Sequence, residues 1–192
     1  MSGRPDGCVL AGGPGRRFGR PKAGVLLLGR TLVERAVDAL LERCGRVVVV
    51  SRPGVALPPL PVPVVLDRPG PDAPLVALAT GLAALEGEEV LVLGCDLPLA
   101  GPLLDELIAA PPGIPVVGLA PGGRPQPLCA RYPRERTLAA CERLLAVQAL
   151  PVRGLLDSVG ALGIEAPDDA LLNVNTPEDL ALAEEILRRH AR

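Results

Sequence analysis

Gly7-Cys8-Val9-Leu10-Ala11-Gly12-Gly13-Pro14-Gly15-Arg16-Arg17-Phe18-Gly19-Arg20-Pro21-Lys22 is the stretch that sets the fold. Gly7–Ala11 is small and apolar and reads as a strand. The remainder is a loop dense in glycine and positive charge. Downstream, Leu32, Ala36, Leu40 and Val33, Val37, Leu41 recur every four residues, which predicts an amphipathic helix over Thr31–Arg43. Thr31 followed three residues later by Glu34 is a capping-box pair at its start. A strand, a glycine loop and a helix in that order open an α/β domain.

The alternation continues. Arg46–Ser51 carries four consecutive valines and reads as a strand buried on both faces. Val62–Leu66 is a further strand, Leu75–Leu85 a helix and Glu89–Gly94 a strand ending at Cys95-Asp96. Pro102–Ala110 is a helix with proline in its first turn. Pro115–Leu119 and Leu128–Arg131 read as strands, Glu135–Leu150 as a helix, Val152–Ser158 as a short helix and Ala161–Glu165 as a strand. Thr176-Pro177-Glu178-Asp179 opens a final helix to His190, with threonine as cap and acids in the first turn. The pattern is an α/β domain with a mainly parallel sheet, and no linker divides the chain. Ligands of such sheets sit at the carboxyl ends of strands. The polar segments after Ala11, after Gly94 and around Asn173 are therefore the candidate site.

Composition narrows the function. The 192 residues carry a net charge of −2, and only 1% are aromatic. Neither a basic surface nor stacking platforms for nucleic acid are expected. No apolar run reaches the roughly 18 residues of a membrane span, and the start lacks the apolar region of a secretory signal. Cys8, Cys44, Cys95, Cys129 and Cys141 form no CxxC pair and share the chain with one histidine, so a Cys/His zinc site is not expected. Buried free thiols in a reducing cytoplasm are the plain reading. With His190 in the last helical turn, no Ser/His/Asp or Cys/His constellation assembles.

The 20 basic residues comprise 19 arginines and Lys22, and Asn173 and Asn175 are the only asparagines. Against that bias, these three residues stand out. Glycines 12, 13, 15 and 19 let backbone N–H groups approach a phosphate, and Arg16, Arg17, Arg20 and Lys22 surround them. An ammonium is a compact charge with rotatable donors, suited to a phosphoryl group. The alternative is a solvated basic turn. The spacing fits neither a dinucleotide fingerprint, because Phe18 stands where glycine is needed, nor a P-loop. Gly24–Thr31 mimics a P-loop, but its middle is Val-Leu-Leu-Leu and should be packed. Asp96, at a strand's carboxyl end, suits Mg²⁺ or a turn. Asp67 suits a nucleotide contact or a helix terminus, and Asp72 a turn. Alternation places Asn173 and Asn175 on one face, where their amides could bond a ligand or the turn itself.

These segments together resemble the molybdenum cofactor guanylyltransferases of MobA type. Leu10-Ala11-Gly12-Gly13 with Arg17-Phe18-Gly19 and Lys22 is similar to the family's LAGG-x3-RMG-x2-K opening. Cys95-Asp96-Leu97-Pro98 is similar to its CD-x-P segment, Gln126-Pro127-Leu128 with Tyr132 to QPL-x3-Y, and Asn173–Asp179 to NxNTPED. The resemblance implies a single three-layer Rossmann-like nucleotidyltransferase domain over residues 1–192. It implies GMP transfer from GTP to molybdenum-molybdopterin with release of pyrophosphate, and Mg²⁺ as cofactor. Leu10, Ala11, Gly12 and Gly13 would hold the nucleotide, Lys22 its phosphates and Asp67 the nucleoside. Asp96 would bind Mg²⁺, Asn173 and Asn175 would face molybdopterin, and Arg17 would join Lys22 and Asp96 in catalysis. Molybdenum-cofactor biosynthesis proteins and recipient apoenzymes are the implied protein partners. The chain departs from the family at Phe18, at Ser51-Arg52 where asparagine is usual, and at Asp72-Ala73-Pro74-Leu75 where GPL is usual. Rival expectations are a related enzyme using CTP or a sugar phosphate acceptor, and a nucleotide-binding module without turnover.

Overall fold

The computed structural model describes residues 3–190 except 14, 72 and 150, and the side chain of Arg16 also lies outside the described residues. The chain runs β1 (Asp6–Leu10), β2 (Leu26–Leu27), β3 (Arg30–Thr31), α1 (Leu32–Leu41), β4 (Val47–Ser51), β5 (Val64–Leu66), α2 (Pro74–Ala83) and β6 (Glu89–Gly94). It continues α3 (Gly101–Ala109), β7 (Val116–Ala120), β8 (Arg124–Pro133), α4 (Arg134–Ala146), α5 (Val152–Val159), β9 (Leu162–Glu165) and α6 (Pro177–His190). The sheet order is β5-β4-β1-β6-β8-β7-β9. Only β8 runs against the rest, pairing antiparallel with both β6 and β7.

Strand parity builds the layers. On β1, β4 and β6, Cys8, Leu10, Val48, Val50, Val90 and Val92 face one cluster, with α2, α4 and α5. Val9, Ala11, Val47, Val49, Leu91 and Leu93 face the other, with α1 and α3. Burial on both faces is why these strands read as continuous apolar runs instead of alternating ones. Burying one such leucine or valine contributes roughly 1.5–3 kcal/mol, so the central strands carry much of the stabilisation of the core. The connections β1–β4–β5 proceed to one side of β1, and β6 returns to its other side. The point where strand order reverses is where such sheets open a crevice.

Sequence expectation and structure differ most at three elements. The strand expected at Leu128–Arg131 spans Arg124–Pro133, because Gly122 and Gly123, with φ of 80° and 72°, turn β7 directly into it. The helix expected to reach Leu150 ends at Ala146, ahead of Gln148 at φ 55°; residue 150 itself is not described, nor is Asp72. The strand expected from Val62 begins at Val64. The Val-Leu-Leu-Leu segment, expected to be packed, forms the β2–β3 hairpin, turning at Leu28 and Gly29 with φ of 50° and 80°. Val25 and Leu27 are fully buried there with Leu32, Val174 and Ala183, and Phe18, Leu180 and Leu187 pack against them. This third cluster seats α6 beside the glycine loop.

Candidate active site

The carboxyl ends of β1 and β6 are joined by the Cys95 N–H to the Leu10 carbonyl at 3.1 Å. Above them opens a cleft of about 210 Å³. Leu10, Gly12, Gly13, Lys22, Asp67 and Asp96 line it, as do Arg52, Ala77 and Leu128. Ala11, expected in contact with a ligand, is fully buried in the α1 face beneath the loop. Its N–H continues the ladder to the Val50 carbonyl at 2.8 Å.

The loop is closed on itself. The Phe18 N–H donates to the Gly15 carbonyl at 2.9 Å and the Lys22 N–H to the Gly13 carbonyl at 3.4 Å. Gly15 sits at φ +59°, where a Cβ would lie 1.9 Å from the Arg20 carbonyl oxygen, so only glycine permits this return. The return delivers Lys22 to the cleft. Its Nζ donates to Asp96 Oδ2 at 2.9 Å and to Asn175 Oδ1. The side chains of Lys22 and Asp96 are 16% and 22% exposed, so the pair is half-sheltered but open to a ligand.

Asn175 Nδ2 donates to Asn173 Oδ1 at 2.9 Å, which bears out the shared face of the two amides. Between them Val174 points the other way into the third cluster, and its N–H donates to the Asp96 carbonyl at 2.8 Å. The three residues that break the compositional bias are thus one hydrogen-bonded chain. Asp179 fixes the segment from below: its Oδ2 accepts the N–H groups of Asn175 and Thr176, both at 2.9 Å. Burial pushes the Asp179 carboxyl up, but those two N–H donors, the Thr176 hydroxyl and the charge of Arg17 together hold it below its ordinary value. Arg17 is exposed and stands outside the cleft lining, toward α6.

On the opposite wall, the Asp67 N–H extends the β4–β5 ladder to the Ser51 carbonyl, and Asp67 Oδ1 accepts from the Thr80 hydroxyl at 3.1 Å. Arg52 Nε donates to the Gly12 carbonyl at 3.0 Å. Arg52 is thus a cleft residue at the position where the sequence departs from the family pattern. The fourth resembling segment has a local role. The β7–β8 register jumps from Ala130 to Gln126, which leaves a bulge at Pro127, Leu128 and Cys129. The buried Tyr132 hydroxyl donates to the Pro127 carbonyl at 2.9 Å and holds it. The bulge carries Leu128 over Gly94, where an added Cβ would be 3.5 Å from Leu128 Cβ and 2.8 Å from Asp96 Oδ1. Thr80 carried no sequence signal, and Leu128 and Gly94 entered only as part of a resembling segment and as a strand end, because their parts depend on strand register and helix packing.

The donor set is hard. Among the described residues no group of three or more His, Cys, Asp or Glu side chains could cage a metal. One cleft carboxylate shared with phosphate oxygens and water is the arrangement Mg²⁺ takes, and Asp96 at the end of β6 fits it. No described helix is long and apolar enough to cross a membrane.

Residues 7–161 match the family described as the MobA-like NTP transferase domain. The chain is 36% identical to the molybdenum cofactor guanylyltransferase of Rhodobacter capsulatus, over 98% of this chain and 99% of that protein. It is 35% identical to a probable molybdenum cofactor guanylyltransferase of Chloroflexus aggregans, over 95% and 94%. Its fold superposes on the molybdopterin-guanine dinucleotide biosynthesis protein A of Archaeoglobus fulgidus with a TM-score of 0.77 at 22% identity, covering 96% of this chain and 99% of that one.

Proposed function

The chain belongs to the MobA-like NTP transferase family, and from that premise we propose that it transfers GMP from GTP to molybdenum-molybdopterin and releases pyrophosphate. The observation that carries the reading is the cleft itself. A glycine loop, the ammonium of Lys22 and the carboxylate of Asp96 converge there at the reversal point of the sheet. Residues 1–192 act in this reading as one nucleotidyltransferase domain. The five buried thiols suit a reducing cytoplasm. Molybdenum-cofactor biosynthesis proteins and recipient apoenzymes are the protein partners it would meet.

The residues divide the work as follows. Gly12 and Gly13 hold the nucleotide through the loop backbone, Leu10 lines the floor of the cleft, Ala11 supports the loop from beneath, and Asp67 meets the nucleoside side. A terminal phosphate of molybdopterin is already ionised, so its attack in line on the α-phosphate of GTP needs no general base. What remains is positioning and charge neutralisation. Lys22 takes charge developing on the phosphates, and Arg17 adds positive potential from the rim. Asp96 would hold Mg²⁺ with the nucleotide phosphates, where the ion would offset phosphate charge. Asn173 and Asn175 border the acceptor side.

Pyrophosphate release across the four NTPs, with molybdopterin supplied, tests the proposal. Release with GTP alone, abolished by Asp96→Ala in a variant that still folds, is the expected result. Release with CTP, binding without release, or normal turnover by Asp96→Ala would each overturn it.

A further inference from the structure

Lys22 Nζ is held between two acceptors that are themselves tied together. An ammonium has three N–H donors. One goes to Asp96 Oδ2 and one to Asn175 Oδ1. Those acceptors come from segments 79 residues apart, linked by the Val174 N–H to the Asp96 carbonyl. The Asn175 amide is used on both sides, its oxygen by Lys22 and its nitrogen by Asn173. Asp179 pins the Asn175 backbone at the start of α6, and Phe18 packs the glycine loop onto the same cluster as α6. Both the oxygen and the nitrogen of the Asn175 amide are thus engaged by protein groups.

We propose that Asn175 is a positioning residue for Lys22: with Asp96 it completes two legs of a tripod that aims the third N–H of the ammonium into the cleft. This rests on the proposed transfer reaction: Asn175 borders the acceptor side by position and acts on the nucleotide phosphates through Lys22. A lysine stem is long and flexible, and orienting it at the moment of reaction would cost rotamer entropy. Two fixed acceptors remove that cost beforehand, which is how a preorganised charge acts on a transition state. Asn173 is the outer member of the pair. It orients the Asn175 amide so that oxygen, not nitrogen, meets Lys22. A guanidinium is a planar fork and cannot satisfy three acceptors arranged around one atom, which accounts for lysine here in a chain otherwise built with arginine.

Because Lys22 is the only lysine, ¹⁵N-lysine labelling gives one ammonium signal that reports on it without assignment. In the free protein the expected signal is restricted and slow to exchange. Asn175→Ala should convert it to that of a solvated lysine while leaving the melting temperature near wild type. An unchanged signal in Asn175→Ala overturns the proposal, and this arm does not depend on what reaction the protein catalyses. The second arm is kinetic. Asn175→Ala should lower kcat about tenfold, the scale of a weakened preorganised donor, with the KM for the acceptor little changed. In a Lys22→Ala background the same substitution should change kcat by less than about twofold, since coupled sites are non-additive. Asn175→Asp, which keeps an acceptor oxygen, should recover part of the loss. A raised acceptor KM at constant kcat, or equal losses in both backgrounds, overturns the proposal.

Discussion

Lys22 shows how much one side chain can depend on its surroundings. Its charge alone could be supplied by any of 19 arginines in this chain. Its place is set by the loop that returns it to the cleft, which closes through Gly15, where any Cβ would strike the Arg20 carbonyl. Lys22→Ala is expected to remove about 2–4 kcal/mol of transition-state stabilisation, the range found for a lost charge-stabilising donor. Lys22→Arg should behave more like alanine than like wild type. Steady-state kinetics with GTP decide this; an arginine variant within twofold of wild type would show that charge without shape suffices. At this scale the sequence was legible where composition made a residue rare. Alternation put Asn173 and Asn175 on one face, but nothing in the spacing said that Lys22 touches them. Arg52 stayed hidden because one arginine among 19 carries no contrast.

Elements place these residues, and two helix starts do most of it. α1 begins with Thr31 and Glu34 in a reciprocal capping box, and α6 with Thr176 and Asp179 in another. Side-chain and then backbone hydrogen bonds from Thr31 hold the Glu34 carboxyl below its ordinary 4.5. Asp179 is likewise held below its ordinary 3.8, its N–H donors outweighing burial. Depressed carboxyls stabilise the fold fully above their unfolded values and lose that contribution as pH falls through the native ones. Melting temperature should therefore be insensitive to these groups above about pH 5 and drop below pH 4. Replacing either acid by alanine should lower the melting temperature at neutral pH and should shallow the acid limb measured by thermal melts. An unchanged acid limb in Asp179→Ala would show that the cap does not hold α6. The Thr31–Glu34 box and the Thr176 cap could be read from the residue types alone, since a cap is a local interaction over four residues; the reciprocal bonds of Asp179 came from the structure. The full length of β8 could not be read this way, because its hydrogen bonds are to β6 and β7 and its three prolines argue against a strand in isolation.

At the scale of the whole molecule, the five cysteines report on packing. All are free and buried. Burial first, aided by the neighbouring Asp67, pushes the Cys8 thiol up to about 12; burial also raises Cys44, Cys129 and Cys141 to about 12, and Cys95 further still. Reactivity requires thiolate and access, so native protein at pH 8 should resist alkylation. Labelling should follow the denaturant unfolding curve. Cys8 and Cys129 lie in central strands of the sheet, and their modification before global unfolding, seen by mass spectrometry, would reveal an opening of the sheet.

By itself the sequence determined the alternation of strands and helices, the buried valine-rich strands, the capped helix starts and the identity of the chemically exceptional residues. Those features arise from local periodicity and from side-chain chemistry within a few positions of one another. Tertiary structure alone decided that β8 runs antiparallel, that the Pro127–Cys129 bulge brings Leu128 over Gly94, and that Lys22, Asp96 and Asn175 share one ammonium. Lys22 and Asn175 are 153 positions apart. Only the order of strands in the sheet and the seating of α6 on the β2–β3 hairpin bring them within a hydrogen bond, and neither is encoded in any single segment.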